Sequence, residues 1–209
     1  MRVPYKLPGS TVWRFVNIYT RLNQERILFL NQPLSDGVAN SLISAMLYLD
    51  SEDQTKPIQL YINSLGDPVD AGITNLAGGM VSILSGLAVY DTMQHIKSEI
   101  VTICMGQAVG MATLLLSAGS QGKRVSLPHA SIAFNFPRIG TQGQATDIQM
   151  TAQEMLAKKA LVLDILSQTT GKSVAQLAKD SDRIQYMIPQ EAQEYGLIDR
   201  VLTSARDLA

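Results

Sequence analysis

Cysteine and histidine are almost missing from this chain. Of 209 residues, one is cysteine (Cys104) and two are histidine (His95 and His129). A lone thiol excludes a disulfide framework and suits a reducing compartment. With so few soft ligands no zinc-type donor set can be assembled, and the carboxylates are scattered. An excess of one charge is missing as well: 17 Lys and Arg against 18 Asp and Glu leave a net charge of −1. No like-charged block occurs anywhere, so nucleic acid and anionic lipid find no electrostatic footprint. What is present is apolar matter, 46% of residues, with 17% charged. That balance excludes disorder. The length fits one domain able to bury roughly 70% of its unfolded surface.

Long hydrophobic runs need a closer look. Residues 71–90 and 100–122 carry no charge and reach the length of a membrane span. The first is interrupted by Gly72, Asn75, Gly78, Gly79, Ser82, Ser85 and Gly86, the second by Gly106, Gln107 and Gly110. Both read as strand-plus-helix units buried on several sides, and no membrane is expected. Residues 1–10 hold two prolines and no apolar core, so no secretory signal is expected there.

Strand-like and helical patterns alternate along the chain. RILFL (26–30), IQLYIN (58–63) and IVTICM (100–105) read as strands. A helix is expected from Ser35 to about Asp50, and a long helical region ends at Lys97. Two short strands flank Pro128-His129. Thr146 with Gln149 reads as a capping box opening a long helix that Gly171 stops. Ser173 with Gln176 repeats that spacing. Pro189 and Gly196 bracket a last short helix before the strand-like GLIDRVL. Such alternation predicts one α/β domain with a largely parallel sheet.

Chemistry is harder to find. The strand ending at Met105 runs through Gly106-Gln107-Ala108-Val109-Gly110-Met111 into a helix. A turn of this kind either presents backbone N–H groups to an oxyanion or only lets helix and sheet pack closely, and spacing leaves both open. In hydrolases such a turn displays a serine. Gly110 has no side chain. His95 and His129 read as solvated surface residues, and Cys104 as an inert buried thiol.

Longer matches then carry a resemblance. They are YTRL at 19–22 with RILFL, YINS at 61–64, YDTMQ at 90–94, TICMGQA at 102–108 and GKRVSLP at 122–128. QGQATDI at 142–148 and EAQEYGLID at 191–199 complete the set. Over about residues 19–202 the chain resembles the proteolytic subunit of Clp protease, the ClpP family. That implies a ClpP/crotonase-like α/β domain with mainly parallel sheet, a head, and a handle helix at about 137–170, preceded by an axial segment at 1–18. It also implies double heptameric rings (a tetradecamer) fed by an AAA+ unfoldase of the ClpC or ClpX type, with unfolded proteins as substrates. No cofactor or metal is implied.

The same resemblance marks departures. The family's GQAxS nucleophile segment reads GQAVG, placing Gly110 at the nucleophile. The base histidine falls on Asn135, and the acid, 49 residues further, on Ile184. Active members follow YINS with a proline and two glycines, the second donating its N–H to the oxyanion. Here the run is Leu65-Gly66-Asp67-Pro68, so Asp67 takes that donor place, with Met111 the other oxyanion position. A carboxylate about 4 Å from a developing oxyanion costs roughly 4 kcal/mol at an effective permittivity near 20. The tyrosine and phenylalanine that dock the unfoldase correspond to Gln59 and His95. About 14 extra residues, at 73–86, form an insertion that either caps the cleft or narrows the chamber, or is a neutral loop extension; if helical, it puts Leu76, Met80, Ile83, Leu84 and Leu87 on one face, against the weakening effect of Gly78, Gly79 and Gly86. The pattern resembles the ClpR-type paralogue of cyanobacteria and plastids. It implies a catalytically inactive structural subunit, not an enzyme, in mixed rings with active ClpP-type subunits, in the cytoplasm or a plastid stroma. The alternatives are an active hydrolase using Ser64, Ser117 or Cys104, and a crotonase-type acyl-CoA enzyme.

Overall fold

The computed structural model describes residues 1–6, 12–67, 78–137 and 140–204. Strands β1 (Arg2–Lys6) and β2 (Trp13–Asn17) pair antiparallel, Arg2 opposite Asn17. The segment expected to be axial is therefore mostly this ribbon. Asn17 caps α1 (Ile18–Gln24) by accepting the Tyr19 N–H at 2.9 Å. Then follow β3 (Ile27–Leu30), α2 (Asp36–Glu52), β4 (Ile58–Ser64), α3 (Gly78–His95) and β5 (Ile100–Val109). After them come α4 (Met111–Ser117), β6 (Arg124–Ser126), β7 (Ser131–Phe134) and α5 (Ala145–Thr170). The chain closes with α6 (Val174–Asp180), β8 (Gln185–Met187), α7 (Pro189–Tyr195) and β9 (Arg200–Val201).

The main sheet runs β3-β4-β5-β6-β9, all parallel; β7 also pairs with β5 and carries β8 antiparallel. The α/β expectation holds. Strands β3 and β4 bury one face and leave alternate residues such as Phe29, Gln59 and Tyr61 half-buried on the other. Leu30, Ile58, Leu60, Ile62 and Ile103 are fully buried. Helices α2, α3 and α4 cover the sheet with Met46, Ile83, Leu114 and Leu115.

Local signals held where the chemistry is local. Ser35 caps α2, Ser173 caps α6 and accepts the Gln176 N–H at 3.3 Å, and Gly171 ends α5 at φ 73°. Pro189 opens α7 and Gly196 closes it. Four expectations need correction. Thr146 is not a cap: α5 starts at Ala145 behind Gln144, without a side-chain cap. Strand β5 does not stop at Met105 but continues to Val109, because β7 supplies a neighbour for Gln107–Val109. The last strand is only two residues long. Of the insertion, residues 73–77, and with them Leu76, lie outside the described residues, and 78–86 are helical. There Leu84 is 46% exposed while Ser82 and Ser85 are buried. Polar anchors set that helix face: Ser82 donates to Asp67 and Ser85 to Asp36.

Two buried arginines tie the layers together. Arg124 makes a bidentate pair with Asp199 (3.0 and 2.7 Å) and donates to the carbonyls of Ser117, Thr169 and Gly196. Arg26 is 9% exposed and donates to the carbonyls of Leu49, Lys56 and Pro57 and to the Ser98 hydroxyl. Ser98 passes the contact on to Asp50. Arg26→Ala removes four hydrogen bonds and leaves the buried carbonyl of Leu49 with only the 3.2 Å bond from the Asp53 N–H; each hydrogen bond contributes about 0.5–1.5 kcal/mol. Thermal or urea unfolding should show a loss of roughly 2–4 kcal/mol for this variant, and a loss below about 0.5 kcal/mol would show that water replaces the guanidinium freely.

Candidate functional site

The turn between β5 and α4 is the centre of the cleft. Gly110 has φ 56° and ψ −121°, a strand-to-helix elbow that strains any side chain-bearing residue. Three contacts hold it there. The Gly110 N–H donates to the Ala133 carbonyl of β7 at 3.1 Å. The Thr113 hydroxyl, fully buried, lies between the carbonyls of Ala108 (2.8 Å) and Ala133 (2.7 Å). On the other side Gly66 presses against the elbow, so that a Cβ on it would lie 2.1 Å from the Val109 carbonyl oxygen.

Three of the positions expected from the sequence, Gly110, Asp67 and Asn135, come together here. A Cβ on Gly110 would point at Asp67 Oδ2, 3.3 Å away, and at Asn135 Oδ1, 3.5 Å away. Asn135 follows β7 directly. The last ladder pair of β7 and β8 is Phe134 with Gln185, so Ile184 sits one step beyond it, level with Asn135. Ile184 is 48% exposed. The N–H of Asp67 does not point freely into the cleft; it donates to the Leu65 carbonyl at 2.8 Å within its own loop. Met111 opens α4 and is buried.

The polar chemistry of the cleft is that of Asp67 and Asn135. Asp67 Oδ1 accepts the hydroxyl of Ser82 at 2.6 Å. Burial pushes the Asp67 carboxyl above the ordinary carboxylate range, more than the Ser82 hydrogen bond pulls it down. Asn135 Oδ1 is buried and has no hydrogen-bond partner. Ser82 and its bond to Asp67 escaped sequence reading, which placed only apolar residues on that helix face.

The alternative nucleophiles are engaged elsewhere. Ser64 donates to the Gln32 carbonyl at 2.7 Å and accepts the Gly66 N–H. Ser117 donates to the Leu114 carbonyl at 2.9 Å. Cys104 is fully buried and its thiol is pushed up to about 12 by burial. His95, at the end of α3, and His129, in the turn between β6 and β7, are both exposed. Gln59 lies on β4 beside an aromatic ladder in which Tyr19 meets Phe29 edge-on and Phe29 stacks on Tyr61. Tyr19 and Phe29 also line a groove of about 620 Å³ along β3 and α2. Among the described residues no group of His, Cys, Asp and Glu fits a metal ion, and no helix is long and apolar enough to cross a membrane.

The Asp67 carboxyl gives this cleft a pH signature. Folding holds its proton to a higher pH than the unfolded chain does, so the stability linked to it is complete below about pH 4. It is then lost as pH rises through the raised folded-state value. Measured by urea unfolding, the stability of the native chain relative to Asp67→Asn should fall as pH rises from about 4 and then level off. A difference that grows with pH would instead mean that the fold stabilises the anion.

Comparison with known proteins agrees with this architecture. The family model described as Clp protease matches residues 9–75 and 73–205. ATP-dependent Clp protease proteolytic subunit 2 of Prochlorococcus marinus (strain MIT 9313) is 51% identical over 201 residues, covering 96% of this chain and 94% of the relative. ATP-dependent Clp protease proteolytic subunit 3 of Synechococcus sp. (strain CC9605) is 50% identical over 202 residues, with 96% and 94% covered. These names correct one expectation. The chain was expected to stand outside the enzymes, yet relatives at half identity over nearly its whole length are named as proteolytic subunits, and those names point to a protease. With the parallel sheet, the elbow at Gly110 and these matches together, the chain belongs to the Clp protease family.

Proposed function

We propose that this chain is a subunit of the proteolytic core of an ATP-dependent Clp protease and works in mixed rings with ClpP-type subunits. In this reading Gly110, Asn135 and Ile184 stand at the nucleophile, base and acid positions, and Asp67 and Met111 at the oxyanion positions. The observation that carries it is the elbow itself. Its backbone has the shape that presents a nucleophile, but Gly110 offers no oxygen there. An asparagine amide has no useful basicity, and an isoleucine cannot orient an imidazolium. The serine chemistry of the core therefore enters through ClpP-type neighbours in the same ring. The assembled particle is the protease, and this chain shapes its chamber and sets how many serine sites face it. An AAA+ unfoldase delivers unfolded chains, and we place the complex in a reducing compartment, cytoplasm or stroma.

Co-expression with a serine-bearing ClpP-type subunit, followed by native mass spectrometry, tests this. Mixed rings that cleave peptides are expected, with a fluorophosphonate probe labelling the partner and not this chain. Rings of this chain alone that take up the probe would overturn the reading. Docking supplies a second measurement. Gln59 and His95 replace the aromatic residues expected at the unfoldase clefts, and fully desolvated aromatic anchors contribute disproportionately to binding. Unfoldase affinity should therefore rise at least tenfold for the variant Gln59→Tyr with His95→Phe in the mixed ring; no change would show that these clefts do not carry the contact.

A further inference from the structure

One point in the cleft is crowded by groups from two separate segments, the loop after β4 and the residue that follows β7. A Cβ on Gly110 would lie 3.3 Å from Asp67 Oδ2, 3.7 Å from Asp67 Cγ and 3.5 Å from Asn135 Oδ1. A hydroxyl or thiol beyond that Cβ that is directed at the Asp67 carboxyl would share its volume. Asp67 is not free to swing away. Its Oδ1 accepts the Ser82 hydroxyl at 2.6 Å, and Ser82, fully buried in α3, also reaches the Gly66 carbonyl at 3.4 Å. Its N–H is bonded to Leu65, and the preceding Gly66 is packed on Val109.

We propose that Asp67 is a built-in occupant of the cleft: pinned by Ser82, its carboxyl takes the volume that a side chain at position 110 would need. With Asp67 and Ser82 in place, a side chain at residue 110 meets a crowding cost on top of the strain of its φ of 56°. The pairing also accounts for the orphan acceptor at Asn135. Asp67 Oδ2 and Asn135 Oδ1 both lie within 3.5 Å of the point a Cβ on Gly110 would take, and a carboxyl there can act as a donor to the amide oxygen whenever it holds its proton. Burial favours that neutral form. This inference rests on the cleft geometry and holds whatever ring the chain enters.

Four full-length chains test it: native, Gly110→Ser, Asp67→Ala and the double variant. In the native background Asp67→Ala should lower the thermal midpoint by a few degrees, since Ser82 loses its acceptor. In the Gly110→Ser background the same change should raise the midpoint. Additive effects would overturn the proposal. Failure of both chains carrying Gly110→Ser to fold would overturn it too, because something other than Asp67 would then exclude the side chain. Folding of the double variant alone would support it. A thiol placed at the same point reads occupancy directly. Cys104 is fully buried with its thiol pushed up to about 12, so it adds little background. Iodoacetamide should alkylate Gly110→Cys at least tenfold faster when Asp67→Ala is also present, with Ser82→Ala in between. Equal rates would show that the carboxyl does not fill the space.

Discussion

The cleft depends on how closely two chain segments pass one another. The loop leaving β4 and the elbow leaving β5 touch backbone to backbone, because Gly66 has no Cβ to hold the Val109 carbonyl away. Gly66 also adopts φ 72°, where a Cβ-bearing residue is strained in any surroundings. This one contact aims Asp67 at Gly110. The irregular register between β4 and β5 at Ile62 and Ser64 lets the two exits converge. From the far side β7 closes the elbow through Ala133, and two residues later Asn135 reaches the same point.

Around this core, buried cations do work that hydrophobic packing cannot. A parallel sheet leaves helix ends and strand starts crowded at one edge, with carbonyls turned inward. Arg124 satisfies three such carbonyls, at the ends of α4, α5 and α7, and has Asp199 as its counter-ion. Burial alone would raise the Asp199 carboxyl, but the hydrogen bonds and charge of Arg124 bring it below the usual range. Arg26 gathers the C-terminal end of α2 and the entry to β4 in the same way. It does so at φ 64°, a left-handed conformation that four hydrogen bonds hold in place.

What could be read from the sequence was what short range decides. Caps at Ser35 and Ser173 and stops at Gly171 and Gly196 need only neighbouring residues, and they hold. Thr146 met the capping pattern and still failed, because nothing in that pattern fixes where the helix begins. The extension of β5 was invisible since its partner β7 lies over twenty residues away. Position counting brought Gly110, Asp67 and Asn135 into one cleft, which the geometry repeats. It could not disclose Ser82, whose value lies in a hydrogen bond spanning fifteen residues and part of the insertion. Leu84 fails for the matching reason: the helix face is chosen by Ser82 and Ser85 bonding carboxyls, a preference that hydrophobic periodicity ranks the wrong way.

The elbow also separates scaffold from chemistry. A strained turn persists only where its surroundings over-determine it. Here the determinants are the Thr113 hydroxyl, the Gly110 N–H on β7 and the Gly66 contact, and none of them involves a nucleophile, a base or an acid. The backbone shape is therefore independent of which side chains stand at positions 110, 135 and 184. A fold built this way can exchange its reactive residues without losing its place in a sheet or, by extension, in a ring. The exchange is not neutral at every position, however. Asp67 brings a buried carboxyl that must find partners, and it finds them in Ser82 and in the space that Gly110 leaves open. Glycine at the elbow, already favoured by its positive φ, also leaves the space into which the aspartate of the facing loop packs.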